Sequence, residues 1–196
     1  MGIEDKRLLG LVLAGGRSRR MGSDKALLRR GGTSQLGHAV ELLEAVTDAV
    51  FVSTRRDQQD EPERARFATI PDRYDNLGPV AGILSAMHAH PDADWLVVAC
   101  DLPNLDRPTL EYLVEQADNK RPFTAFESSY DGLPEPLCAI YRSGSDERLQ
   151  GFVDEGIVCP RKMLIRSDTQ LLAQPNASAL DNVNTPEDLG RSVLEA

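Results

Sequence analysis

Leu8-Leu9-Gly10-Leu11-Val12-Leu13 runs without a charged side chain into Ala14-Gly15-Gly16-Arg17-Ser18-Arg19-Arg20-Met21-Gly22-Ser23-Asp24-Lys25. The first six residues have the almost purely apolar character of a strand buried on both faces of a parallel sheet. In open α/β sheets, a loop at the carboxyl end of such a strand is where ligands bind. From Gly15 to Lys25 that loop sets Arg17, Arg19, Arg20 and Lys25 against Asp24 alone, a local charge of +3 in a chain whose net charge is −9. Gly15, Gly16 and Gly22 permit a backbone tight enough to turn several N–H groups inward. Amides and cationic side chains together suit a polyphosphate, although the same residues also describe a solvated basic turn. Two better-known phosphate loops do not fit. A Walker A loop needs GxxxxGK followed by Ser or Thr, and here Ser23 and Asp24 separate Gly22 from Lys25; a dinucleotide fingerprint needs GxGxxG, which Gly15-Gly-Arg-Ser-Arg-Arg20 lacks.

Outward from this unit, apolar runs rich in Leu, Val and Ile alternate with segments of helical spacing, the rhythm of an α/β layered domain. Leu36, Val40, Leu43 and Val46 predict a helix over about 35–45, and a strand over 49–53 then completes a right-handed βαβ unit. Pro79 stands where a first-turn proline belongs, ahead of Val80, Ile83, Leu84 and Met87. Trp95 to Cys100 reads as another buried strand, with a helix over 107–117 capped by Asp106. Short strands over 123–126 and 137–141, a helix candidate over 145–155 and a final helix opened by Thr185-Pro186 complete the pattern. Residues 61–75 are charged and weakly patterned. No repeat or linker divides residues 1–196, so a single domain is expected.

With 41% apolar residues, a chain of 196 can bury a core without disulfides or metal staples. Cys100, Cys138 and Cys159 form no CxxC pattern, which argues against a disulfide framework and a zinc site. The acidic balance excludes broad nucleic-acid binding. No apolar stretch has the length of a membrane span, and Met1 to Arg7 lack the apolar core of a signal peptide, so a cytoplasmic protein is expected.

Further candidate chemistry lies at other predicted strand and helix ends. Asp101, in Cys100-Asp-Leu-Pro103, follows a strongly apolar strand; it could bind a divalent cation beside phosphates, or cap a turn. Asp72 precedes Leu77-Gly-Pro79, whose helix start could receive an anion or a base edge. Asn182 and Asn184 occupy alternate positions and would share a side if extended, although turn and cap chemistry uses the same residues. His38, His88 and His90 have no partners at metal spacing, and Ser18 has no triad context.

Leu13-Ala-Gly-Gly-Arg-Ser-Arg-Arg-Met-Gly-Ser-Asp-Lys-Ala-Leu27 resembles the signature LAGGxSxRMGxDKxxL of the molybdenum cofactor guanylyltransferases, the MobA family. Asp72 before Gly78-Pro-Val-Ala-Gly82, Cys100-Asp-Leu-Pro103, Glu135-Pro-Leu137 and Asn182-Val-Asn-Thr-Pro186 fall in that family's order. The resemblance implies a Rossmann-like three-layer nucleotidyltransferase fold with a mostly parallel sheet. It also implies transfer of GMP from GTP to the terminal phosphate of molybdenum-molybdopterin, with Mg²⁺ as cofactor and pyrophosphate as the second product. Carried over by position, Leu13, Ala14, Gly15 and Gly16 would meet the guanine nucleotide, Arg20 and Lys25 its phosphates, Ser53 and Asp72 the nucleotide pocket, and Asp101 both nucleotide and metal. Asn182 and Asn184 would lie towards the pterin. Proteins that deliver the cofactor or receive the product are further partners implied. Ser53 stands where the family often has asparagine, and 30–35 lacks a proline common there. The competing readings are a relative using CTP or another acceptor and a nucleotide-binding module without catalysis. Gly15-Gly16 favours guanine, because cytosine-using relatives tend to carry alanine at the first position, and Lys25 and Asp101 favour an enzyme.

Overall fold

The computed structural model describes residues 6–15, 24–30, 32–58 and 60–181, with the side chains of Lys25 and Arg30 outside that description. Strand β1 (Leu8–Leu13) is buried along its middle four residues, as its lack of charged side chains requires. A short pair, β2 (Arg29–Arg30) and β3 (Thr33–Ser34), leads into helix α1 (Gln35–Glu44). Ser34 caps that helix, its hydroxyl oxygen accepting from the Gly37 N–H at 3.0 Å. Strands β4 (Ala49–Thr54) and β5 (Thr69–Pro71) precede α2 (Pro79–Ala89), β6 (Asp94–Ala99) and α3 (Arg107–Gln116). Asp106 caps α3 by accepting from the Thr109 N–H at 2.9 Å. Strands β7 (Phe123–Glu127) and β8 (Pro134–Tyr141), helices α4 (Asp146–Asp154) and α5 (Pro160–Ile165), and strand β9 (Thr169–Leu172) follow.

Seven strands form one sheet in the order β5-β4-β1-β6-β8-β7-β9. All pairings are parallel except those of β8, which runs against both β6 and β7. Alternation along β1 sends Leu9 and Leu11 to one face and Val12 to the other. The first face packs on Ile83, Leu84 and Met87 of α2, Leu149 of α4 and Met163 and Leu164 of α5. The second packs on Leu36, Val40 and Leu43 of α1 and Leu110 and Leu113 of α3. The result is the expected three-layer α/β arrangement.

The differences from the sequence reading are local. The third long strand ends at Ala99, so Cys100 belongs to the turn and is only partly buried. Strand β8 starts three residues earlier than expected, inside the turn-rich stretch, because Pro134 and Pro136 are accommodated beside a register shift in the β7–β8 pair. Strand β5 lies within the weakly patterned 61–75 segment, and α5 and β9 lie between the helix candidate over 145–155 and the final helix, where the sequence predicts no element. The helix expected from Thr185 lies outside the described residues. Among the described residues no helix is long and apolar enough to cross a membrane.

Candidate active site

Register places the site. Leu13 pairs with Ser53 on one side and Ala99 on the other, while Thr54 pairs with Pro71. The residues just beyond these pairs, Ala14 and Gly15, Arg55, Asp72, Cys100 and Asp101, therefore emerge along one carboxyl edge. The chain leaves β1 for β4 and later returns to β6 on the opposite flank, so this edge includes the topological switch where open α/β sheets hold ligands. A cavity of about 690 Å³ opens there, lined by Leu13, Ala14, Gly15, Ser53, Asp72 and Asp101 among others.

Six of the sequence-predicted site residues thus meet at one cavity. Lys25 opens a short 3-10 turn, Lys25–Leu27, directly after the cavity-lining Asp24. Gly16, Arg20, Asn182 and Asn184 lie outside the described residues. Of Glu135-Pro-Leu137, Leu137 lines the cavity, whereas Glu135 accepts from Arg161 at 2.8 Å.

Ser53, almost fully buried, donates its hydroxyl to Asp72 Oδ1 at 2.8 Å. Burial nonetheless pushes the Asp72 carboxyl above its usual value, against the pull of that hydrogen bond and the Arg55 charge. Gly15 stands against the same acid: a Cβ added there would lie 3.4 Å from Asp72 Oδ2, an ordinary contact. Helix α2 presents its N-terminus to the cavity, with Gly78, Pro79, Ala81 and Gly82 in the wall. Gly78 enters the helix at φ 55°, a left-handed conformation that favours glycine. A helix N-terminus with its amides and dipole favours an anion or a hydrogen-bond acceptor.

Two arginines that the sequence reading did not single out hold the backbone where β1 ends, Arg55 from the cavity wall and Arg64 from outside the cavity lining. Arg55 Nη1 donates to the Gly15 carbonyl at 2.7 Å, and Arg64 Nη2 donates to the Ala14 carbonyl at 2.8 Å and to Asp24 Oδ2 at 2.7 Å. Arg64 is wholly buried. Its only local signal is an i,i+3 spacing to Glu61, which pairs with it at 3.1 Å and which any surface turn could show.

Mg²⁺ is held by one or two carboxylates together with substrate phosphates, so it needs no cage of protein ligands. Asp101, partly buried just beyond β6 and lining the cavity, carries a hard oxygen donor of the kind that could hold such an ion. No cluster of three metal-ligating side chains occurs among the described residues.

A three-layer α/β fold in which the exit of β1 at Ala14 and Gly15, a helix N-terminus and acids share one carboxyl-edge cavity has the architecture of the nucleotidyltransferases. The model of the MobA-like NTP transferase domain matches residues 10–171, and the chain belongs to that family. It is a nucleotidyltransferase of the MobA type. A "molybdenum cofactor biosynthesis bifunctional protein" from Synechocystis is 36% identical over 184 residues; the alignment covers 94% of this chain and 53% of that protein. A "probable molybdenum cofactor guanylyltransferase" from Bacillus mycoides is 30% identical over 187 residues, 91% of this chain and 92% of that protein. The crystal structure of molybdopterin-guanine dinucleotide biosynthesis protein A from Archaeoglobus fulgidus matches with a TM-score of 0.77 at 25% identity, over 93% of this chain and 95% of that one.

Proposed function

We propose that this enzyme transfers GMP from GTP to the terminal phosphate of molybdenum-molybdopterin, releasing pyrophosphate and forming the guanine dinucleotide cofactor. The observation that carries the reading is the convergence of Leu13 to Gly15, Ser53 with Asp72, and Asp101 on one cavity beside the turn that begins at Lys25. A phosphate oxygen of the acceptor attacks the α-phosphorus of GTP, and the bond to the β-phosphate oxygen breaks. Both reactants are anions, so acceleration comes from charge neutralisation and in-line positioning. Arg20 and Lys25 offset the charge of the triphosphate and of the departing pyrophosphate. The attacking phosphate is already ionised at neutral pH and needs no general base.

Asp101 would hold Mg²⁺, which when bound supplies further neutralisation of the phosphates. The Asp72 carboxylate accepts hydrogen bonds, and guanine offers two adjacent donors, N1–H and the 2-amino group, where cytosine offers one exocyclic amine. Gly15, with no Cβ, lets the backbone approach that base closely. Asn182 and Asn184 face the pterin in this reading, and proteins that deliver the cofactor or accept the product meet the acceptor side. The reading assigns the reaction to the cytoplasm, where nucleoside triphosphates are available. Steady-state transfer to molybdenum-molybdopterin with each nucleotide tests it. GTP is expected to exceed CTP and ATP by at least about tenfold in kcat/KM. Equal or better use of CTP would reject guanine while leaving nucleotidyl transfer intact.

A further inference from the structure

We propose that Arg64 is a positioning residue for the triphosphate, fixing the backbone at Ala14 and the turn at Asp24 without touching the nucleotide. The inference rests on the reading that the cavity binds a nucleoside triphosphate. A guanidinium buried to this extent is tolerated only when paired and hydrogen-bonded. Glu61, in the same turn, supplies part of that: its Oε2 accepts from both the Arg64 backbone N–H and Nη1 at 3.1 Å, while the buried Nε has no partner among the described residues. The Nη2 bonds add something different, because they reach 50 and 40 residues away to Ala14 and Asp24. Those two residues flank the stretch between β1 and Lys25. Arg64 does not line the cavity, whereas both of these partners do.

What those bonds control follows from peptide geometry. A trans peptide carries its C=O and N–H on opposite edges, so holding the Ala14 carbonyl directs the Gly15 N–H away from Arg64. Arg55 holds the next carbonyl, that of Gly15, at 2.7 Å. Consecutive peptide groups at the cavity wall are thereby set by two guanidinium groups from the β4–β5 connection. At the far end, Asp24 uses its other oxygen to accept from the Ala26 N–H at 3.1 Å, and its carbonyl accepts from the Leu27 N–H at 3.0 Å. Arg64 therefore also fixes the start of the turn on which Lys25 stands.

Calorimetric binding of GTP and of guanosine to wild type, Arg64→Lys and Asp24→Asn separates positioning from plain structural support. Lysine keeps the charge but replaces the planar fork by a single ammonium, which cannot serve the same partners. The expected result for Arg64→Lys is a loss of GTP affinity about tenfold greater than the loss for guanosine, which is itself weakened because its base meets the Gly15 backbone. Asp24→Asn, which leaves Arg64 its Glu61 partner, is expected to shift the GTP-to-guanosine ratio in the same direction and decides the matter if Arg64→Lys does not fold. Equal losses for both ligands, or no loss for either, would overturn the proposal. A wild type that prefers CTP would overturn the guanine reading alone, and the ratio is then read with CTP and cytidine. A wild type that binds no triphosphate would overturn both.

Discussion

Asp72 and Asp101 stand at the same sheet edge in different surroundings. Asp72 is pressed against Ser53 and Gly15, and burial raises its carboxyl above the ordinary 3.8. The native fold therefore binds this proton more tightly than the unfolded chain does. The resulting stabilisation is complete below pH 3.8 and is lost as pH rises through the higher native value. Asp72→Asn keeps an acceptor for Ser53 but carries no charge at any pH. It should raise the melting temperature at pH 7, the gain vanishing below the ordinary carboxylate value, while GTP affinity falls. Melting curves of both proteins from pH 3 to pH 8 are the check. Asp101→Asn should keep the fold and lose on the order of a hundredfold or more in turnover, since an amide is a much poorer ligand for Mg²⁺ than a carboxylate. Pyrophosphate release by a folded preparation measures it, and near wild-type turnover would remove the metal role from this residue.

Helix α2 shows how an element is seated as well as formed. Pro79 at its first turn and the left-handed Gly78 before it start the helix, but Gly82 decides how closely it lies on the sheet. A Cβ there would clash with Ser53 Oγ and stand 2.9 Å from Leu13 Cδ2, so the helix rests directly on the carboxyl ends of β1 and β4. Gly82→Ala should destabilise the fold by about 1–3 kcal/mol, the range for overfilling a packed interface. It should also displace the Ser53 hydroxyl from Asp72. A denaturation midpoint measured beside GTP affinity tests both effects, and a neutral variant would mean that α2 can move outward freely.

For the whole molecule, the strongest consequence is linkage between nucleotide binding and stability. A ligand that binds only the native state at about a hundred times its Kd adds about 2.7 kcal/mol. In a chain of this size that corresponds to a rise of roughly 5–10 °C in Tm. GTP with Mg²⁺ should give such a shift, and CTP at the same concentration a smaller one. A thermal scan without molybdopterin is sufficient, because the reading requires the nucleotide cavity alone. Identical shifts for the two nucleotides would show that only the triphosphate is recognised.

The sequence by itself determined what depends on neighbours along the chain. Leu8 to Leu13 had to be an interior strand because it offers water almost nothing, and Asp106 and Pro79 marked helix starts by backbone chemistry. From its strand end alone, Asp101 could be assigned to the edge that carries the exit of β1, whereas the strand that brings Asp72 there was not legible. Periodicity records which face of a strand is buried but not which way the strand runs, so the reversal of β8 was illegible. The short β5 and β9 carry too few residues to show a period. Arg64 is the clearest case of what only tertiary structure decided. An arginine in a charged stretch belongs in water by every local criterion, and its burial depends on oxygens from residues 14 and 24 that folding brings to it. The Ser53–Asp72 pair is of the same kind, joined through adjacent parallel strands whose register no local pattern encodes. Local free energies select elements. The partners of buried polar groups are selected by packing, because only the assembled fold supplies the low-dielectric surroundings in which leaving such a group unpaired is costly.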